Sequence, residues 1–333
     1  MKYFKYRVRL KKSIYEFARS PNYLGFSLFP DSYLGSSIYA IFMASIHPYE
    51  FLMRRFILPQ SINKKFKIAK DKGYWISREN NDNVSSAVEH CRNIVFSKKF
   101  EDIDTIQAKS FLLQNWLEPG SDEHKSVWNL AVDPLIISPI VEYLGYVPIL
   151  GSALVWLSPN NNFESGRSQE FHMDGESRKQ IKVFVFLDDV DEDSGPLTII
   201  PAQKSRVIYK KLKKEGLISR RNNKVSDEAM YKHASLNDTV ILIGKKGTTA
   251  FVDTDSCYHF GSRPGLKRRM VLQLQYLGLS GSHQATFNRR IDKNVVRMLK
   301  SDPDKQLKKY ILGFTHLTHP KIQNKSRYTR SLF

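Results

Sequence analysis

Cysteine is nearly absent: Cys91 and Cys257 are the only two in 333 residues. Two thiols build neither a disulfide framework nor a four-cysteine zinc site, and thiols this sparse predict a reducing, cytoplasmic setting. Long hydrophobic runs are missing too. The longest, Ile38 to Ile46, is broken by Ser45 and closed by His47 and Pro48, well short of the ~20 residues a membrane span needs. The basic N-terminus is followed by no apolar stretch of the kind a secretion signal carries. Internal repeats and low-complexity tracts are likewise lacking. Hydrophobic residues at 41% and charged residues at 26% predict a folded chain rather than a disordered one.

Acidic residues are in deficit, 33 against 52 Lys and Arg, for a net charge of +19. The imbalance comes in blocks. Residues 1–100 carry 18 basic and 7 acidic side chains, 101–200 carry 6 and 17, and 201–333 carry 28 and 9. Such blocks are most often solvated faces, although an excess of positive charge also favours anionic partners.

Phe4, Tyr6, Val8 and Leu10 alternate with Lys5, Arg7, Arg9 and Lys11, the period-two pattern of a half-buried edge strand. Ile106 to Leu117 reads as a helix, ended by Pro119-Gly120, with Ser121-Asp122 as an N-cap for the next. Asp133-Pro134 opens a further helix from Leu135 to Leu144, weakened by Pro139 and closed by Gly145. Beyond Tyr146 the texture changes. Short β-branched and aromatic runs at Leu154–Trp156, Ile181–Leu187, Leu197–Ile200, Val240–Ile243, Thr248–Val252 and Arg269–Tyr276 are separated by Gly, Pro, Asn and Asp. An α+β fold is expected, an all-β jelly roll or barrel behind a helical half. The expected organisation is a mixed, partly helical extension over residues 1–104, a core over 105–280 with a basic insert at 204–236, and a basic extension over 281–333.

His172 and Asp174 stand two apart in Gln169-Glu-Phe-His-Met-Asp-Gly175. On extended chain, residues i and i+2 share a face, so the imidazole and carboxylate converge while Met173 points away. A third ligand is expected at His259, at the end of the strand-like run from Phe251. Two His and one carboxylate leave other metal positions open, the donor set of non-haem Fe(II) oxygen chemistry. In the run from Arg269 to Tyr276, alternation puts Arg269, Val271, Gln273 and Gln275 on one face and Met270, Leu272, Leu274 and Tyr276 on the other. The second face reads as core. The remaining histidines, His47, His90, His124, His233, His283, His316 and His319, have no partner at ligand spacing and read as exposed. Cys257 reads as a buried, inert thiol, and Asp188–Asp193, without EF-hand spacing, as a solvated turn.

These residues resemble the phytanoyl-CoA dioxygenase-like family of Fe(II)/2-oxoglutarate-dependent oxygenases. The resemblance runs from Ala131-Val-Asp-Pro134 to Tyr276 and includes Asp189-Val190 through Gly195-Pro196 and the stretch Ile200-Pro201-Ala202-Gln203-Lys204-Ser205. It departs at Arg206, where the family carries His. It implies a double-stranded β-helix core with flanking, largely N-terminal helices, and Fe(II) held by His172, Asp174 and His259. 2-Oxoglutarate and O2 are the implied co-substrates, with the far carboxylate of 2-oxoglutarate on Arg269 and Arg268 as second choice. Guanidinium suits that role because its planar fork donates two parallel hydrogen bonds. Related halogenating enzymes have a small residue in place of the carboxylate, so Asp174 implies hydroxylation, with release of succinate and CO2. The basic insert, Arg263 and Lys267 point to an anionic small-molecule or carrier-linked substrate. Two other readings compete with this one: nucleic-acid binding through the basic termini, which no motif supports, and a catalytically silent jelly-roll scaffold.

Overall fold

The computed structural model describes residues 45, 48–62, 66–97, 113–117, 121–159, 167–174, 179–218, 223–277, 297 and 305–312. The alternating segment Phe4–Leu10 and His47, His283, His316 and His319 lie outside the described residues. Two antiparallel sheets form the core. The main sheet has the order β1-β7-β4-β9-β3-β2, from β1 (Tyr74–Ser77), β2 (Leu113–Trp116), β3 (Ile149–Ser158), β4 (Gln180–Phe186), β7 (Thr249–Val252) and β9 (Arg269–Leu277). The smaller sheet has the order β6-β5-β8, from β5 (Thr198–Ile199), β6 (Val240–Ile241) and β8 (His259–Phe260). Phe186, Ala250, Val252 and Val271 of the main sheet pack against Ile199 of the smaller one and against Leu197 and Leu242 beside it. Two packed antiparallel sheets are the jelly roll expected from the strand pattern, and agree with the double-stranded β-helix that the resemblance implies.

The strands carry two faces because side chains alternate. Met270, Leu272, Leu274 and Tyr276 of β9, with Ile181, Val183 and Val185 of β4, face outward under helices. These are α1 (Asp82–Phe96), α2 (Lys125–Ala131) and α3 (Pro134–Leu144), with Ile311 and Leu312 of α6 (Lys305–Leu312) in the same core. Helix α3 starts where Asp133 accepts a hydrogen bond from Leu135 N at 2.8 Å and ends at Gly145, whose φ of 78° is left-handed. Pro139 lies inside it. An interior proline costs ~3 kcal/mol or more, whereas each fully buried aliphatic side chain contributes ~1.5–3 kcal/mol. Ile136, Ile137, Ile140, Val141 and Leu144 are all buried, so packing wins.

One expected element needs correction. Leu113–Trp116 is a strand, β2, paired with Leu154–Leu157 of β3, and residues 106–112 lie outside the described residues. The free edge of β3 offers a ladder of backbone partners, and that long-range pairing overrides the local helical pattern. The basic insert reaches the segment that carries His172 and Asp174, where Asn223 Nδ2 donates to Met173 O at 2.9 Å. It forms α4 (Ala202–Lys214) and α5 (Asp227–Tyr231), whose Ile208, Leu212 and Met230 pack on Phe171, Tyr258 and Phe260. Tyr258 and Phe260 flank His259, so the insert backs the smaller sheet on the face opposite that imidazole. Arg263 is forked onto Asp227 at 2.6 and 2.8 Å and lies over the Phe260 ring, and Lys267 pairs with Asp191. The acidic turn is exposed, as expected, and is also ion-paired: Arg92 meets Asp188 and Lys245 meets Asp189. Gly195, at φ 58°, closes it where a Cβ would collide with Arg263 O.

Two of the histidines expected on the surface instead pair with each other. His90 Nε2 and His124 Nδ1 are 2.9 Å apart, and His124 is buried. His233 pairs with Glu215.

Candidate metal centre

Residues 172 and 259 meet through the backbone. His172 N donates to His259 O at 3.0 Å and His259 N to His172 O at 2.9 Å, an antiparallel bridge that extends the smaller sheet beyond β8. Residues directly opposite in such a pair point to the same side, so the two rings lie 4.3 Å apart between centroids. Asp174 is brought alongside by its own amide, which donates to Thr254 O at 2.8 Å. Its Oδ1 lies 3.8 Å from His172 Nε2 and its Oδ2 3.5 Å from His259 Nε2. One donor atom from each residue falls within 4.8 Å of the others, a span that suits a single metal ion.

Each imidazole has its other nitrogen engaged. His172 Nδ1 is 2.9 Å from Glu170 O, and His259 Nδ1 is 3.0 Å from Cys257 O. A carbonyl oxygen only accepts, so Nδ1 carries the proton and Nε2 presents its lone pair to the cluster, the usual backing of a metal-binding histidine. Burial, then the neighbouring His259, holds His172 down to about 4, and burial likewise lowers His259. Both rings are therefore neutral donors at pH 7. Burial alone would raise Asp174, but the Lys182 ammonium outweighs it and keeps the carboxyl well below its usual range. The set of two neutral imidazoles and one carboxylate fits Fe(II) with positions left open.

Lys182 is absent from the sequence reading. Its Nζ lies 2.7 Å from Asp174 Oδ2. The signal was there: a lone charge in the apolar run from Ile181 to Leu187, on the alternate face with Phe184 and Phe186.

Arg269 is 8% exposed at the start of β9, and its Nε has no hydrogen-bond partner. Its Nη2 donates to Ser262 Oγ at 2.8 Å, and burial brings its pKa down to about 10. A Cβ on Gly261, two residues past His259, would come within 3.5 Å of Nη2. A buried guanidinium with an idle donor is costly unless an anion arrives. Arg268 is exposed and lies 4.9 Å over the Phe96 ring, on the other side of the strand. A chain of buried amides and hydroxyls crosses the sheet at the other end of β9 from Arg269. Ser152 Oγ donates to Gln275 Oε1, Gln275 Nε2 to Gln180 Oε1, and Gln180 Nε2 to Thr254 Oγ1, each at 3.0–3.1 Å.

No protein-family model matches the chain, and no curated protein does. Solved structures do match. EctD from S. alaskensis, crystallised with 2-oxoglutarate and 5-hydroxyectoine, aligns at TM-score 0.44 and 16% identity over 63% of this chain and 74% of that one. The non-haem alpha-ketoglutarate-dependent epimerase SnoN from nogalamycin biosynthesis aligns at 0.44 and 15% over 62% and 78%. HygX from Streptomyces hygroscopicus, with nickel and 2-oxoglutarate bound, aligns at 0.41 and 10% over 62% and 83%. At these values the functional assignment rests on the side chains of this chain.

Proposed function

We propose that this chain is a non-haem Fe(II)- and 2-oxoglutarate-dependent dioxygenase of the phytanoyl-CoA dioxygenase-like kind, hydroxylating an anionic small-molecule or carrier-linked substrate. The observation that carries the reading is the pairing of a two-histidine, one-carboxylate cluster with a buried Arg269 whose Nε lacks a partner. His172, Asp174 and His259 are the residues that would hold Fe(II). Arg269 would grip the far carboxylate of 2-oxoglutarate through its fork, which answers the idle Nε. Fe(II), 2-oxoglutarate and O2 together supply an oxidation that releases succinate and CO2 and inserts one oxygen atom into a C–H bond. The chain's own contribution is placement. Nδ1 contacts to Glu170 O and Cys257 O orient the imidazoles, and Phe184, Phe186, Trp156 and Val271 keep water out of the barrel. An anionic substrate is supported by the excess of Lys and Arg over Asp and Glu, 52 against 33. The two buried thiols support a reducing, cytoplasmic setting.

The test is anaerobic titration of Fe(II)-loaded protein with 2-oxoglutarate, followed by the visible charge-transfer absorption of the chelate, and then succinate release in air. Wild type develops the band and releases succinate; Asp174→Ala does neither. Wild-type turnover in Asp174→Ala, or a spectrum indifferent to 2-oxoglutarate, refutes the assignment.

A further inference from the structure

The carboxylate that a metal ion needs is already held by a cation. Lys182 Nζ stands 2.7 Å from Asp174 Oδ2, the oxygen that also faces His259 Nε2 at 3.5 Å. A metal bound by both imidazoles must take one oxygen of Asp174 at about 2 Å. Ammonium and metal are thus drawn to the same carboxylate. Neither backbone is free to withdraw: Lys182 is opposite Val252 on β7 and Gln275 on β9, and Asp174 N is tied to Thr254 O. The two side chains are 13% and 12% exposed, where charges interact much more strongly than in water.

We propose that Lys182 is a positioning residue that competes with the metal ion for Asp174, neutralising the carboxylate in the metal-free barrel and lowering the affinity of the site for divalent metal; this rests on His172, Asp174 and His259 forming the metal centre. Loss of the ammonium has two consequences of opposite sign. Asp174 is left buried without a counter-charge, so the metal-free fold weakens. The same change frees the carboxylate and deletes a like charge beside the ion, so metal binds more tightly. A lysine that only braced β4 would produce the first effect without the second.

The experiment is calorimetric titration of Co²⁺ into the full chain, with thermal melts in EDTA and in excess Co²⁺. Lys182→Met and Lys182→Gln are expected to bind Co²⁺ at least tenfold more tightly than wild type and to gain more melting temperature from it. Lys182→Arg, which keeps the cation, is expected to stay near wild type. Should the methionine variant fold only with metal, the glutamine variant and the rate of Co²⁺ loss to EDTA give the comparison. Equal or weaker binding in both uncharged variants overturns the competition. His172→Ala serves as control: Co²⁺ binding undiminished there overturns the metal centre itself, whatever the lysine variants do.

Discussion

Replacing Arg269 with methionine should raise stability and weaken co-substrate binding together. Burial lowers the guanidinium from its ordinary 12.5 to about 10. At 1.36 kcal/mol per pKa unit that is a penalty of roughly 3 kcal/mol on the charged form. Methionine removes the penalty and forfeits one hydrogen bond, Nη2 to Ser262 Oγ, which contributes about 1.5–3 kcal/mol when the donor is charged. Ser262 Oγ keeps its contact with Ser158 Oγ at 2.9 Å, so no new buried polar atom is stranded. The metal-free variant is therefore expected to be as stable as wild type or up to ~1.5 kcal/mol more so, by urea denaturation in EDTA. With Mn²⁺ and 2-oxoglutarate at about 100 times the dissociation constant, wild type gains ~2.7 kcal/mol. The variant keeps only ~0–0.9 kcal/mol of that co-substrate gain, because losing one partner of a buried charge pair costs ~2–5 kcal/mol of binding. A variant destabilised by more than about 2 kcal/mol that still binds 2-oxoglutarate like wild type would make Arg269 a structural residue and refute the reasoning.

Further expectations follow from other buried groups. Tyr143 Oη donates to Asp253 Oδ2 at 2.7 Å in the interior, where burial raises the Asp253 carboxyl; Tyr143→Phe should cost about 1–3 kcal/mol in urea unfolding while leaving Co²⁺ affinity unchanged, and altered metal binding would contradict it. Burial lowers His90 despite Glu123, so below the unfolded pKa of ~6.5 the unfolded chain takes up more protons than the folded one. The stability contributed by the His90–His124 contact is thus present above that pH and lost as pH falls. His90→Phe should flatten the drop in stability between pH 7.5 and 5.5, and an unchanged slope would count against this. Cys91 and Cys257 are buried and burial pushes both thiols up; a colorimetric thiol reagent should find neither in the native protein and both in guanidinium, and prompt native reaction would contradict the packing.

Much of the barrel was legible because side-chain alternation is a local property. The run Arg269–Tyr276 declared its two faces, and Met270, Leu272, Leu274 and Tyr276 are indeed those under the helices. The convergence of His172 and Asp174 followed from the same period of two, and the caps Asp133 and Gly145 marked α3 without reference to anything distant. What alternation does not encode is the partner. His259 stands opposite His172 through the bridge between two backbone segments 87 positions apart. The edge of β3 draws Leu113–Trp116 into a strand, the insert docks behind the smaller sheet, and His90 finds His124. Lys182 is the clearest case: a single charge in an apolar strand has no sequence neighbour to explain it, and its meaning arises only when register aims it at Asp174. Local pattern determined which way each side chain faces; tertiary pairing decided what it meets, because the energy of a buried charge depends on partners that only the closed barrel brings within reach.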